Sequence, residues 1–179
     1  MDCIAVVPDT MELFPYYAHA MGGNTAFYVR EPCVTAEQLS GAAPRMPVQV
    51  RAEEYLPLRR AALRGRTYID WDENAVRFEE EICRDAGGGL FCFPDAPGCC
   101  AAGEYREDGS LLVCELLASE EELPRCLAGL FARFRAEEGT VRLPAWSGDV
   151  LGAEVIPFGI MNGMELSPEE QAYLGFDFD

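Results

Sequence analysis

Leu111-Leu112-Val113-Cys114-Glu115-Leu116-Leu117 runs directly into Ala118-Ser119-Glu120-Glu121-Glu122-Leu123-Pro124-Arg125-Cys126. The first seven residues are nearly all apolar, the pattern of a buried strand. Downstream, Leu123, Leu127, Leu130 and Phe134 recur at helical spacing and predict a helix over about residues 121–136. Ser119 and Glu122 have the spacing of a capping box, and Pro124 belongs in a first helical turn. Residues 140–143, closed by Pro144, read as the next strand. A crossover helix makes its flanking strands parallel, so this stretch fixes an α/β fold.

Working upstream, Glu107-Asp108-Gly109 is a tight hairpin turn, and residues 99–105 and 90–93 are two further strands of an antiparallel meander. Gly87-Gly88-Gly89 lies after a helix and before a strand, which is a helix stop rather than a phosphate loop. Two helices precede it. Residues 52–63 carry Tyr55, Leu56, Leu58, Ala62 and Leu63 as an apolar stripe, stopped by Gly65. Asp72 caps the second, in which Ala75, Phe78, Ile82 and Ala86 recur every three or four residues. Residues 32–50, with Pro32, Ser40, Gly41, Pro44 and Pro47, read as a linker.

The first 31 residues read strand, helix, strand. Residues 3–7 form an apolar run broken by Pro8. Thr10 caps a helix with Leu13, Tyr16, Tyr17 and Ala20 on one face, Gly22-Gly23-Asn24 ends it, and residues 25–29 are the second strand. In the tail, residues 155–161 are an apolar strand, followed by a short helix capped by Ser167-Pro168-Glu169-Glu170.

The chain has 179 residues, 49% of them hydrophobic, which suffices for a core. Its net charge is −17, from 31 acidic residues against 14 basic ones, all of them Arg. Such a surface repels phosphate backbones and excludes nucleic-acid binding, while it attracts cations such as amines. No apolar run approaches the ~20 residues that span a bilayer, and Met1-Asp2-Cys3-Ile4 is no secretion signal. A cytoplasmic protein with no membrane partner is expected. The eight cysteines contain no CxxC pair and His19 is the single histidine, so reduced thiols and no metal site are expected. Cys99-Cys100 follows Pro97-Gly98 in a turn-like stretch.

The order helix, helix, meander, crossover helix, strand resembles the GNAT acetyltransferase superfamily. The resemblance implies an α/β, GNAT-like mixed sheet flanked by helices, in which residues 111–117 and 140–143 are the fourth and fifth strands and splay apart around the pantetheine arm of acetyl-CoA. The first residues resemble the closing β-α-β of another GNAT lobe: Ile4-Ala5-Val6-Val7-Pro8 is similar to a fifth strand, and Leu13-Phe14-Pro15-Tyr16-Tyr17 with Gly22 to the family's aromatic-Tyr…Gly helix. Pro157-Phe158-Gly159-Ile160-Met161 and Ala172-Tyr173-Leu174-Gly175 resemble the ends of two-lobed bacterial GNAT proteins. The implied organisation is 1–31 as the end of an N-terminal lobe, 32–50 as a linker and 51–179 as a degenerate C-terminal lobe. About 100 residues of the first lobe would then lie upstream.

That resemblance implies acetyl transfer from acetyl-CoA to a small-molecule amine. The family grips the CoA pyrophosphate with a Gly-rich loop opening the crossover helix, where backbone N–H groups and the helix dipole meet the phosphates. Here that position has no glycine and three glutamates, Glu120, Glu121 and Glu122. The chain alone is therefore not expected to bind acetyl-CoA or to be active. An alternative is a non-catalytic GNAT-like binding or scaffold domain for a cationic partner. Tyr17, or its neighbour Tyr16, is the implied proton donor to the departing thiolate, although Gly22 stands one position farther away than the family pattern has it. An aromatic helix face packed on a sheet explains the same residues. Glu115, placed by alternation on the face of Val113 and Leu117, reads either as a general base or as a structural carboxylate bonded to backbone or to an Arg.

Overall fold

The computed structural model describes residues 4–149, 151–162 and 172–176. Cys3 and the expected helix at 167–170 lie outside the described residues. Among the described residues, ten strands and four α-helices follow in the order β1 (Ile4–Val6), α1 (Phe14–Met21), β2 (Asn24–Arg30), β3 (Cys33–Thr35), β4 (Val48–Val50), α2 (Ala52–Ala62), α3 (Glu73–Asp85), β5 (Gly89–Cys92), β6 (Cys100–Tyr105), β7 (Leu111–Leu117), α4 (Leu123–Phe134), β8 (Glu138–Val141), β9 (Leu143–Pro144) and β10 (Val155–Asn162).

A six-stranded sheet runs β3-β8-β7-β6-β5-β4. Strands β4 to β7 form an antiparallel meander, and β7 and β8, joined by α4, are parallel. This is the mixed sheet that the crossover stretch requires. On one face α4 packs Leu123, Cys126, Leu127, Leu130 and Phe131 against Phe91, Ala101, Val113 and Leu116. On the other, α2 and α3 pack Tyr55, Leu56, Leu63, Val76 and Cys83 against Leu90, Cys100, Ala102 and Leu117.

Residues 32–50, read as a linker, supply both edge strands of that sheet. Strands of three residues carry too little alternation to announce themselves. The second sheet runs β1-β10-β2-β9. The tail strand β10 sits between the two N-terminal strands and is antiparallel to both. Helix α1 lies against this sheet with no residue fully buried, and Tyr16 is 65% exposed. Thr10 makes no side-chain cap; a 3₁₀ turn over Met11–Leu13 leads into α1 instead. Gly22, at φ 62°, closes the helix as expected.

Two expected faces are corrected. Helix α3 does not bury Ala75, Phe78, Ile82 and Ala86. It buries Val76, Glu79, Glu80 and Cys83, and Phe78 is 53% exposed. Charge hid this face, because Glu80 earns its burial by accepting the Ala52 N–H (2.9 Å) and an Arg51 N–H (2.6 Å) at the start of α2. In β7, residues 112 and 115 face Glu104 and Ala102 of β6, so β7 holds one extra residue there. This β-bulge at Val113 and Cys114 reverses the alternation. Glu115 keeps the face of Leu117, but Val113 points to the α4 side.

Gly129 of α4 lets the loop between β3 and β4 cross the helix closely. A Cβ there would stand 1.7 Å from the Arg45 carbonyl oxygen. Gly129→Ala is expected to lower stability by about 1–3 kcal/mol, through displaced backbone rather than lost contacts. Urea unfolding monitored by tryptophan fluorescence checks this, and an unchanged midpoint contradicts the packing described.

Candidate functional site: a cleft between splayed strands

Strands β7 and β8 pair only over residues 111–113 and 139–141. The Arg142 N–H to Val113 carbonyl bond, 2.8 Å, closes that ladder. Beyond it β7 continues to Leu117, whereas β9 turns away to pair with Val29 and Arg30 of β2. The turn is held by Arg142, whose Nε donates to Glu31 at 2.7 Å and whose guanidinium lies 4.4 Å from the Phe158 ring centroid. The splay opens a cleft of about 430 Å³, lined among others by Arg66, Cys99, Ala118, Glu120, Trp146 and Ser147. Arg66 stacks over the Trp146 ring, 5.0 Å from its centroid.

The start of α4 forms one lip. Its first donors are already engaged: the Glu122 N–H goes to the Ser119 carbonyl (3.1 Å) and Oγ (3.3 Å), and the Leu123 N–H goes to the Ser119 carbonyl (2.9 Å). Pro124 has no N–H to offer. Only the serine half of the expected capping box forms. The Glu122 carboxylate turns outward to Arg45 (2.8 and 2.9 Å) and Arg125 (3.0 Å), and its hydrogen bond from Arg45 holds it below the usual carboxylate range. Glu120 and Glu121 are exposed beside it. A diphosphate needs free N–H groups and positive potential. Here the Glu122 and Leu123 N–H groups are engaged by Ser119 and three carboxylates set a negative potential, so these residues do not fit the pyrophosphate of acetyl-CoA.

Inside the cleft, a hydrogen bond from the Cys126 thiol pushes the Cys99 thiol down to about 7, against the opposing effect of burial. A bond from the Ser119 backbone acts in the same direction. Cys99, Arg66 and Trp146 were not singled out as site residues in the sequence, because they converge from separate loops.

Glu115 lies on the α2 side of the sheet and is fully buried. Its two oxygens accept from Arg59 Nε (3.1 and 3.0 Å), and Oε2 also accepts from the Tyr55 hydroxyl (2.8 Å). Arg59, itself fully buried, reaches on to the carbonyls of Ile69 (3.0 Å) and Leu174 (3.3 Å). These are the contacts of a structural carboxylate. Tyr16 and Tyr17 meet edge-to-face at 5.3 Å on α1, against the other sheet, so the fold sets them on a different layer from Glu115. His19 is exposed.

Among the described residues no helix is long and apolar enough to cross a membrane. No family model and no curated protein matches the sequence. Solved structures do. A GCN5-related N-acetyltransferase from Kribbella flavida is similar, at 19% identity and TM-score 0.59, over 90% of this chain and 43% of that one. So is a conserved protein of unknown function from Enterococcus faecalis V583, described as a probable N-acyltransferase, at 9% identity and TM-score 0.60, over 89% of this chain and 44% of that one. Eis1 from Mycobacterium abscessus matches at 12% identity and TM-score 0.57, over 89% and 47%. The chain has the fold of the GCN5-related N-acetyltransferases, and it spans less than half the length of these three proteins.

These contacts have testable outcomes. Glu115→Ala leaves Arg59 as an uncompensated buried charge, and a stability loss of about 3–5 kcal/mol is expected in urea unfolding; a loss below ~1 kcal/mol contradicts the pairing. For Cys99, iodoacetamide labelling read by peptide mass spectrometry is expected to rise with a midpoint near pH 7. Cys126→Ala is expected to move that midpoint upward. Because the folded thiol is lowered, its stabilising contribution is present above the unfolded thiol pKa and fades as pH falls through about 7.

Proposed function

We propose that this chain is a non-catalytic lobe of a GNAT-type N-acetyltransferase, and that any transfer from acetyl-CoA to an amine relies on a phosphate-binding loop outside residues 1–179. The observation that carries this reading is the start of α4, where Ser119 already holds the first N–H groups and Glu120, Glu121 and Glu122 stand where a diphosphate would need cations. The cleft keeps the splayed shape of the fold but lacks the chemistry to anchor a nucleotide thioester. In this reading residues 1–31 are the end of an N-terminal lobe, and Tyr17 or Tyr16 is the candidate proton donor to the departing thiolate of that lobe.

A net charge of −17 favours a positively charged acceptor, and a primary amine is the substrate class it suits. The same charge supports a second reading, a scaffold domain that holds a cationic partner without chemistry.

Isothermal titration of the chain with acetyl-CoA is expected to give no saturable heat, and its melting temperature is expected to stay constant up to millimolar ligand. Saturable binding overturns the proposal. Polyamine binding without any acetyl transfer, in a longer protein that includes the upstream lobe, favours the scaffold reading instead.

A further inference from the structure

Away from the cleft, between α3 and the six-stranded sheet, three buried side chains converge. Glu79 and Cys83 stand four residues apart on α3 and so share one face of the helix. Cys114 approaches from the bulge of β7. One carboxylate oxygen and the two sulfurs all lie within 4.8 Å of one another. The Cys83 sulfur is 3.6 Å from the Glu79 oxygen. Glu104 of β6 adds a second carboxylate, 3.8 Å from the Cys114 sulfur. The four donors therefore come from one helix and two neighbouring strands.

We propose that Glu79, Cys83 and Cys114, with Glu104 as the fourth donor, form a binding site for a zinc-like divalent cation that clamps α3 onto β6 and β7. The donor set is of the kind zinc takes, thiolate sulfur with carboxylate oxygen. Tetrahedral zinc, with bonds of about 2.0–2.3 Å, sets its ligand atoms roughly 3.3–3.8 Å apart, so Glu79, Cys83 and Cys114, within 4.8 Å of one another, need to close by up to about 1.5 Å, and Glu104 swings in from beside Cys114. Side-chain rotation covers that. Access is present too: a cavity of about 260 Å³ opens onto Glu79, Glu104 and Cys114, with Glu31, Arg106 and Arg142 on its walls. The two arginines oppose a cation, but Arg142 is bonded to Glu31. Binding converts each thiol to a thiolate and releases its proton to water.

This site explains why α3 turns a face containing Glu79 and Cys83 inward and leaves Phe78 outside. It also explains why no CxxC spacing marks the site in the sequence. The ligands are brought together by the sheet, not by a loop.

The test uses the full chain, kept reduced, stripped with a chelator and dialysed against Co²⁺ or Zn²⁺. Wild type is expected to take up one tightly held ion per chain, and the Co²⁺ form is expected to show thiolate-to-metal charge-transfer absorption and intense tetrahedral visible bands. Cys83→Ser and Cys114→Ser should each lose stoichiometric uptake, and Cys33→Ser, at an exposed cysteine outside the site, should keep it. Circular dichroism establishes that each variant is folded. Should a buried variant fail to fold, the wild-type spectrum still decides, because thiolate charge transfer requires cysteine ligation. No tight uptake, uptake without charge transfer, uptake that survives in a folded Cys83→Ser or Cys114→Ser, or a Cys83–Cys114 disulfide re-forming in place of the metal site would each overturn the proposal.

Discussion

The buried pair of Arg59 and Glu115 determines how the pieces of this chain sit together. Both side chains are completely shielded from water. Removing two charges from water costs several kcal/mol per ion, and attraction offsets it only where the remaining donors and acceptors are satisfied. Here they are. Tyr55 serves the carboxylate, and the carbonyls of Ile69 and Leu174 serve the guanidinium. One ion pair thus joins α2, the central strand β7, the segment after α2 and the tail at 172–176. Gly175, at φ 84°, passes so close that a Cβ would stand 2.6 Å from both Arg59 Nη2 and Glu115 Oε1. Such a pair adds little net stability but tolerates only one arrangement of its neighbours.

The same device recurs at the two other junctions. Arg142 and Glu31 mark the place where paired chains leave one sheet for the other, which is what opens the cleft. Arg45 and Arg125 hold Glu122 at the start of α4. With no lysine in the sequence, every such contact falls to a planar guanidinium, whose fork suits carboxylates in fixed geometry. The arginines at this helix start are therefore committed to carboxylates of the chain itself.

Much of the fold was legible where hydrophobic pattern dominates. Residues 111–117 form a strand, Asp72 caps α3 through the Ala75 N–H, and the two strands flanking α4 run parallel. Pattern failed where polar groups are buried or the pleat is broken. The β7 bulge moved Val113 to the other face from Glu115, because alternation has no memory across an inserted residue. Helix α3 was read one residue off, since Glu79 and Glu80 look like a solvated face. Arg59 was passed over in favour of Leu58 and Ala62, although it falls on the Tyr55, Leu56 and Leu63 stripe that α2 buries. The cleft was inferred through the resemblance, but its lining at Arg66, Cys99 and Trp146 depends on long-range topology that no local spacing encodes.

Function rests on whether the lip of that cleft can receive a diphosphate. Ser119 and three glutamates argue that it cannot, on grounds of engaged N–H donors and unfavourable potential. An amide NMR titration of the labelled chain with coenzyme A reads this directly. Unmoved signals across residues 119–126 are the expected result. Saturable shifts at the Ser119, Glu122 and Leu123 amides would contradict the account.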